Sequence, residues 1–64
     1  MKCYFAEWET VATVAYPCSG KTTVIAHSDR TAYGKAQRKV ARALLLDPRE
    51  VRVLTVTPTK EGEL

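Results

Sequence analysis

Residues Ser28 to Pro48, S-D-R-T-A-Y-G-K-A-Q-R-K-V-A-R-A-L-L-L-D-P, form the only stretch of the chain with a clear helical period. Tyr33, Ala36, Val40 and Leu44 recur at spacings of three and four, which a 3.6-residue turn gathers into one apolar stripe. Lys35, Arg38, Lys39 and Arg42 fall on the opposite side with no acid among them. Ser28 or Asp29 can cap the helix by accepting from a free N–H of its first turn, and Asp29 complements the positive helix end. Gly34 costs about 1 kcal/mol against alanine, but the alanine-rich continuation favours helix. Asp47-Pro48 is expected to end it, because the residue before proline is pushed out of α geometry.

The flanks of this helix have the other period. From Met1 to Tyr16 the chain alternates, with Tyr4, Ala6, Trp8, Thr10, Ala12, Val14 and Tyr16 on one parity and Glu7, Glu9 and Thr13 on the other. This predicts one long strand with its even side in the core. Phe5 and Val11 fall on the wet side, so a bulge near Glu9 or an outer apolar patch is expected. Pro17-Cys18-Ser19-Gly20 is a turn signal that closes a hairpin. Lys21 to Ser28, with four β-branched residues in succession, reads as the second strand. Pairing Tyr16 with Lys21 would set Ile25 and His27 on the face of Trp8 and Val14. Glu50 to Thr57 is the third strand by composition. The fold class expected is therefore α+β: a ββαβ domain over residues 1–57, a three-stranded, mainly antiparallel sheet with one amphipathic helix on one face. Residues 58–64 are polar and aperiodic and read as a flexible C-terminal tail.

A chain of 64 residues makes one domain that buries only about 60% of the surface its unfolded chain exposes. Its large apolar side chains suffice for one sheet-on-helix layer and are too few for a deep cofactor cavity, so no cofactor and no enzymatic activity are expected. Self-association into a homodimer is a common remedy for so small a core. Cys3 and Cys18 are separated by a segment that reads as strand, too far apart for a disulfide, so both are expected to be free thiols. Two separated cysteines and one histidine give no metal-ligand pair. With no apolar run of signal or membrane-span length, a soluble cytoplasmic protein is the default expectation.

The net charge is +3, and it is unevenly placed. Between Arg30 and Arg49 there are six basic residues (Arg30, Lys35, Arg38, Lys39, Arg42, Arg49) against Asp47 alone. A localised positive field concerns partners and association rate rather than fold. Like charges left adjacent on a helix cost stability, which an anionic partner would offset, and nucleic-acid phosphates are the commonest such partner. The asparagines that often read adenine are absent, so backbone-dominated contact with DNA or RNA is expected rather than base reading. The bland reading of the same residues is a solvated, solubilising face.

Other motifs carry less. Ala15-x-x-x-x-Gly20-Lys21-Thr22 satisfies a relaxed phosphate-loop pattern, but the residues that follow are β-branched, whereas a phosphate loop opens into a helix. A hairpin turn is the better reading. His27 is expected at the core margin beside Trp8 or Thr10, with no nucleophile near it. Glu7 and Glu9 share an open strand face with nothing to drive their pKa values apart. An outer sheet face carrying Phe5, Val11, Thr13, Val24 and Ala26, or an exposed edge strand, would instead serve a protein partner. The leading expectation is a small non-enzymatic module contacting nucleic-acid backbone through Lys35, Arg38, Lys39 and Arg42, with Arg30 and Arg49. The alternative is a protein-protein adaptor or inhibitor, acting on an acidic protein or through the sheet. Size alone would suit an accessory protein of a bacterium or phage.

Overall fold

The alternating and helical segments of the sequence become strands and helix in the computed structural model, which describes residues 1–59. Strand β1 (Lys2–Thr10) and strand β2 (Ser19–Ala26) are followed by helix α1 (Asp29–Leu44), a 3-10 turn (Pro48–Glu50) and strand β3 (Val51–Pro58). The sheet order is β2-β1-β3, with β1 central and both pairings antiparallel. The architecture is thus the ββαβ layer that the periodicities imply, with α1 covering one face.

Two apolar clusters join the layers. Tyr4, Ala6, Val24, Ala26 and Val53 meet Ala32 and Ala36 of the helix, while Val40, Ala41 and Val51 form a second cluster with Trp8 and Leu46 packed against it. Ala6, Ala26, Ala32 and Ala36 are all fully buried, so small side chains on both layers let helix and sheet approach closely. Gly20 pairs with Trp8 across the strands, and a methyl group on Gly20 would stand only 3.0 Å from the indole Cζ2. The glycine is the floor on which the tryptophan lies.

The hairpin departs from expectation in length and register. Strand β1 ends at Thr10 rather than Tyr16, and the following residues loop outward with Val14 buried and Tyr16 exposed. Thr10 closes the hairpin. Its N–H donates to Cys18 O at 2.9 Å, and its Oγ1 both donates to that carbonyl and accepts from Cys18 N–H at 2.8 Å. The connection therefore runs from Val11 to Cys18, and Ser19 and Gly20, expected in the turn, are the first residues of β2. Residues of like parity face each other, Tyr4 with Val24 and Cys3 with Ile25, whereas the expected Tyr16–Lys21 pairing joins unlike parity. An odd slip of this kind moves every β2 side chain to the other face. Val24 and Ala26 accordingly point into the core, Ile25 is 57% exposed, and His27 lies exposed beyond the strand rather than beside Trp8 or Thr10. The assignment of Val24 and Ala26 to the outer face is corrected in the same way.

The helix begins where the sequence places it. Ser28 Oγ accepts from Thr31 N–H at 3.3 Å. It ends three residues before Asp47, because Leu45 takes a left-handed conformation (φ 60°) while Leu46 N–H donates back to Ala41 O at 2.8 Å. Asp47-Pro48 instead opens the 3-10 turn: the Asp47 carboxylate accepts from Arg49 N–H, and Glu50 Oε1 accepts from Asp47 N–H, a reciprocal cap. The buried helix positions are Ala32, Ala36, Val40 and Ala41, with Tyr33 and Leu44 at the margins, 42% and 36% exposed.

In β3, Val51, Val53 and Val56 all face inward although their parity changes, because a bulge at Leu54 shifts the register between Glu7 and Trp8. The strand runs through Pro58, the first residue of the expected tail, and Thr59 N–H donates to Cys3 O at 3.0 Å. The remaining five positions of the expected tail lie outside the described residues. Cys3 and Cys18 are both free thiols, at opposite ends of β1. Among the described residues no helix is long and apolar enough to cross a membrane.

Candidate nucleic-acid interface

Helix α1 advances about 100° per residue, so the four cations at positions 35, 38, 39 and 42 share one flank. The backbone settles what each one does. Cys18 O accepts from Thr10 N–H and Thr59 N–H donates to Cys3 O, so even residues of β1 bond to β2 and odd ones bond to β3. The carbonyls of Thr23 and Ile25 therefore point away from β1, along the open edge of β2. Lys35 Nζ donates to Ile25 O at 2.8 Å and Lys39 Nζ donates to Thr23 O at 2.8 Å. Four helical residues rise about 6.0 Å and two strand residues span about 6.6 Å, so lysines at i and i+4 match alternate carbonyls of an antiparallel strand.

Arg38 and Arg42 point farther out. With Lys35, Lys39 and Ala43 they line a shallow recess that no carboxylate of the described residues enters. The guanidinium of Arg38 folds back along the helix: a methyl group on Gly34 would stand 3.3 Å from its Nη1. Among the described residues the ion pairs are Arg49–Asp47 (3.2 Å) and Arg52–Glu9 (3.6 Å), and neither uses a helix cation. Arg42 lies in the last turn of α1, where a cation also complements the negative helix end.

The two outlying candidates do not join this recess. Arg30 borders a separate groove between the start of α1 and β3, with Asp29, Tyr33, Leu54 and Val56. Arg49 sits in the 3-10 turn and is bound to Asp47 through both its N–H and its side-chain Nε. Those contacts, the backbone N–H first and the guanidinium next, hold the Asp47 carboxyl below its ordinary value. The structure thus brings together a contiguous four of the six residues, of which two are engaged by the sheet edge and two have no hydrogen-bond or ion-pair partner among the described residues.

Gln37 has a structural role. Its Nε2 donates to Pro48 O at 2.8 Å and to Val51 O at 3.0 Å, tying the helix to the start of β3. The lysine caps have a sequence signal of the same kind, K-x-x-x-K on a helix that follows an edge strand, readable only once the register of β2 is known. The outer sheet face carries its own pairs: Lys21 Nζ lies 5.6 Å from the Phe5 ring centroid, and Thr55 Oγ1 donates to Glu7 Oε1 at 3.1 Å. Gly20, Lys21 and Thr22 are strand residues here, with no helix opening behind them. Comparison of the chain with models of known families, with curated proteins and with solved structures gave no significant match.

Proposed function

We propose that this protein is a non-enzymatic module that binds the phosphate backbone of nucleic acid through Lys35, Arg38, Lys39 and Arg42. What carries the reading is the recess these four residues share, in which no carboxylate of the described residues balances their charge. Arg38 and Arg42 supply bidentate guanidinium donors that match phosphate oxygens, and the two lysines supply mobile point charges beside them. Phosphate contact of this kind positions a nucleic acid without reading its bases.

The test is the salt dependence of oligonucleotide binding, followed by fluorescence anisotropy. Four neutralised phosphates give a log–log slope of roughly −3.6 on duplex DNA. Arg38→Ala with Arg42→Ala should reduce that slope by about 2 and weaken binding alike across sequences. Absence of binding to both single strands and duplex at low salt would overturn the reading.

A second reading, an adaptor or inhibitor acting through protein contact, has one observation in its favour. Phe5 and Ile25 are diagonal neighbours on the outer sheet face, 38% and 57% exposed, and make a small apolar patch there. Loss of partner capture on Ile25→Lys, with oligonucleotide binding unchanged, would select this reading.

A further inference from the structure

Lys35 and Lys39 stand in two places at once. They line the cationic recess, and they are also the groups that cover the β2 edge carbonyls. An exposed edge strand is a template for pairing with another chain, and charged side chains are a common way of blunting one. A lysine ammonium, however, is a donor only and can cover carbonyls but not N–H groups. The N–H groups of Lys21, Thr23 and Ile25 point out along the same edge, so the cover is partial and rests on two flexible side chains.

Building on the phosphate-binding reading, we infer that nucleic acid draws Lys35 and Lys39 off the β2 edge and that the uncovered edge pairs with the β2 of a second copy. The second copy is favoured over an unrelated strand by self-complementarity. Residues whose backbone groups point outward must face one another, and a two-fold axis at Thr23 meets this condition, placing Thr23 opposite Thr23 and Lys21 opposite Ile25. Thr–Thr is a favourable cross-strand pair, and no two lysines of the strands stand opposed. Pairing would bring Lys35 and Lys39 of both copies together above the joint, a concentration of like charge that holds the free protein apart and that a bound polyanion neutralises. Both consequences of phosphate contact, release of the caps and cancellation of charge, act in the same direction.

Two measurements test this. Hydrogen exchange on the full chain with and without a short duplex should show the Lys21, Thr23 and Ile25 amides slowing by at least about tenfold on binding, since these donors are open in the free protein. Exchange at these amides unchanged while anisotropy reports binding would overturn the inference and leave the phosphate-binding reading intact. Without nucleic acid, Lys35→Ala with Lys39→Ala removes the caps and the charge together, and sedimentation should show the 7.1 kDa chain at twice its mass. Far-UV circular dichroism checks that this variant retains its helix, and adding Thr23→Lys, which opposes two lysines at the axis, should return it to single-chain mass. A folded double variant that stays at single-chain mass overturns the inference whether or not oligonucleotides bind. If no oligonucleotide binds, the functional reading and the release step fall together, and the variant's mass decides for or against edge pairing alone.

Discussion

The two edges of the sheet are protected by different means. Along β2 the cover is two long side chains, each holding one carbonyl by a hydrogen bond. Along β3 protection lies in the chain itself: the bulge at Leu54 twists the strand, Pro58 has no N–H to offer, and the carbonyl of Val51 is taken by Gln37. The first kind of cover can be removed by a competing anion or by salt, because it depends on charge and on flexible stems. The second can be removed only by unfolding the end of the strand. The contrast places any regulated pairing at β2 and makes β3 the inert side.

The largest effect should come from disturbing what both edges share, the close seat of the helix. Ala36→Leu inserts a branched side chain where Ala36 is fully buried against the sheet, and overpacking costs about 1–3 kcal/mol. In a domain of this size that corresponds to a fall in melting temperature of several degrees or more, read by thermal denaturation. Next is Gln37→Leu, which removes two hydrogen bonds at the start of β3, should cost about 1–2 kcal/mol and should speed amide exchange around Val51 while sparing β2. That selectivity is what separates the edges. If the β2 amides respond equally, the two edges are not independent.

Leu45→Gly should act in the opposite direction. A leucine in left-handed conformation is strained, and Leu45 is 92% exposed, so little packing is lost; a gain of about 1 kcal/mol in denaturant unfolding is expected. The smallest effect concerns the 3-10 turn that leads into β3. The Asp47 carboxyl sits below its ordinary value of 3.8, so it protonates more readily in the unfolded chain than in the folded one. Its stabilising contribution is present above that value and is lost as pH falls through the lower, folded-state one. Asp47→Asn should therefore lower stability slightly at neutral pH and flatten the acid limb, so that the two stability profiles converge in acid.

The sequence carries the order of elements and the helix with its cap because local period and local hydrogen bonds determine both. Register is a different kind of information. The pairing of β2 with β1 depends on Thr10 binding Cys18 across a loop, and nothing in the alternation of either strand says where that rung falls. A tight turn at Pro17–Gly20 is the locally cheapest closure, and it gives the wrong parity for Ile25 and Val24 together. The bulge at Leu54 is legible in principle, since Val51, Val53 and Val56 can share a face only if one residue is extra. For the site, charge pattern identifies Lys35, Arg38, Lys39 and Arg42 but cannot separate the two lysines that reach the sheet from the two arginines that do not. That division needs the distance from helix to strand edge, which is a tertiary quantity. Arg30 and Arg49 are brought into the set by sequence proximity; Arg30 leaves it because its place on the helix turns it toward β3, and Arg49 because it lies beyond the helix in the 3-10 turn.

The match between helix and strand spacing behind the lysine caps works like a vernier. The two scales, about 6.0 Å and about 6.6 Å per step, drift apart by about a tenth with each step, so a row of such caps can stay in phase only briefly. Two positions are used here, and the third, Ala43, would fall over Lys21 just before the helix ends at Leu44. Ala43→Lys therefore offers a graded dial: one more tooth, slightly out of phase, that would tighten the cover on β2 without touching the core.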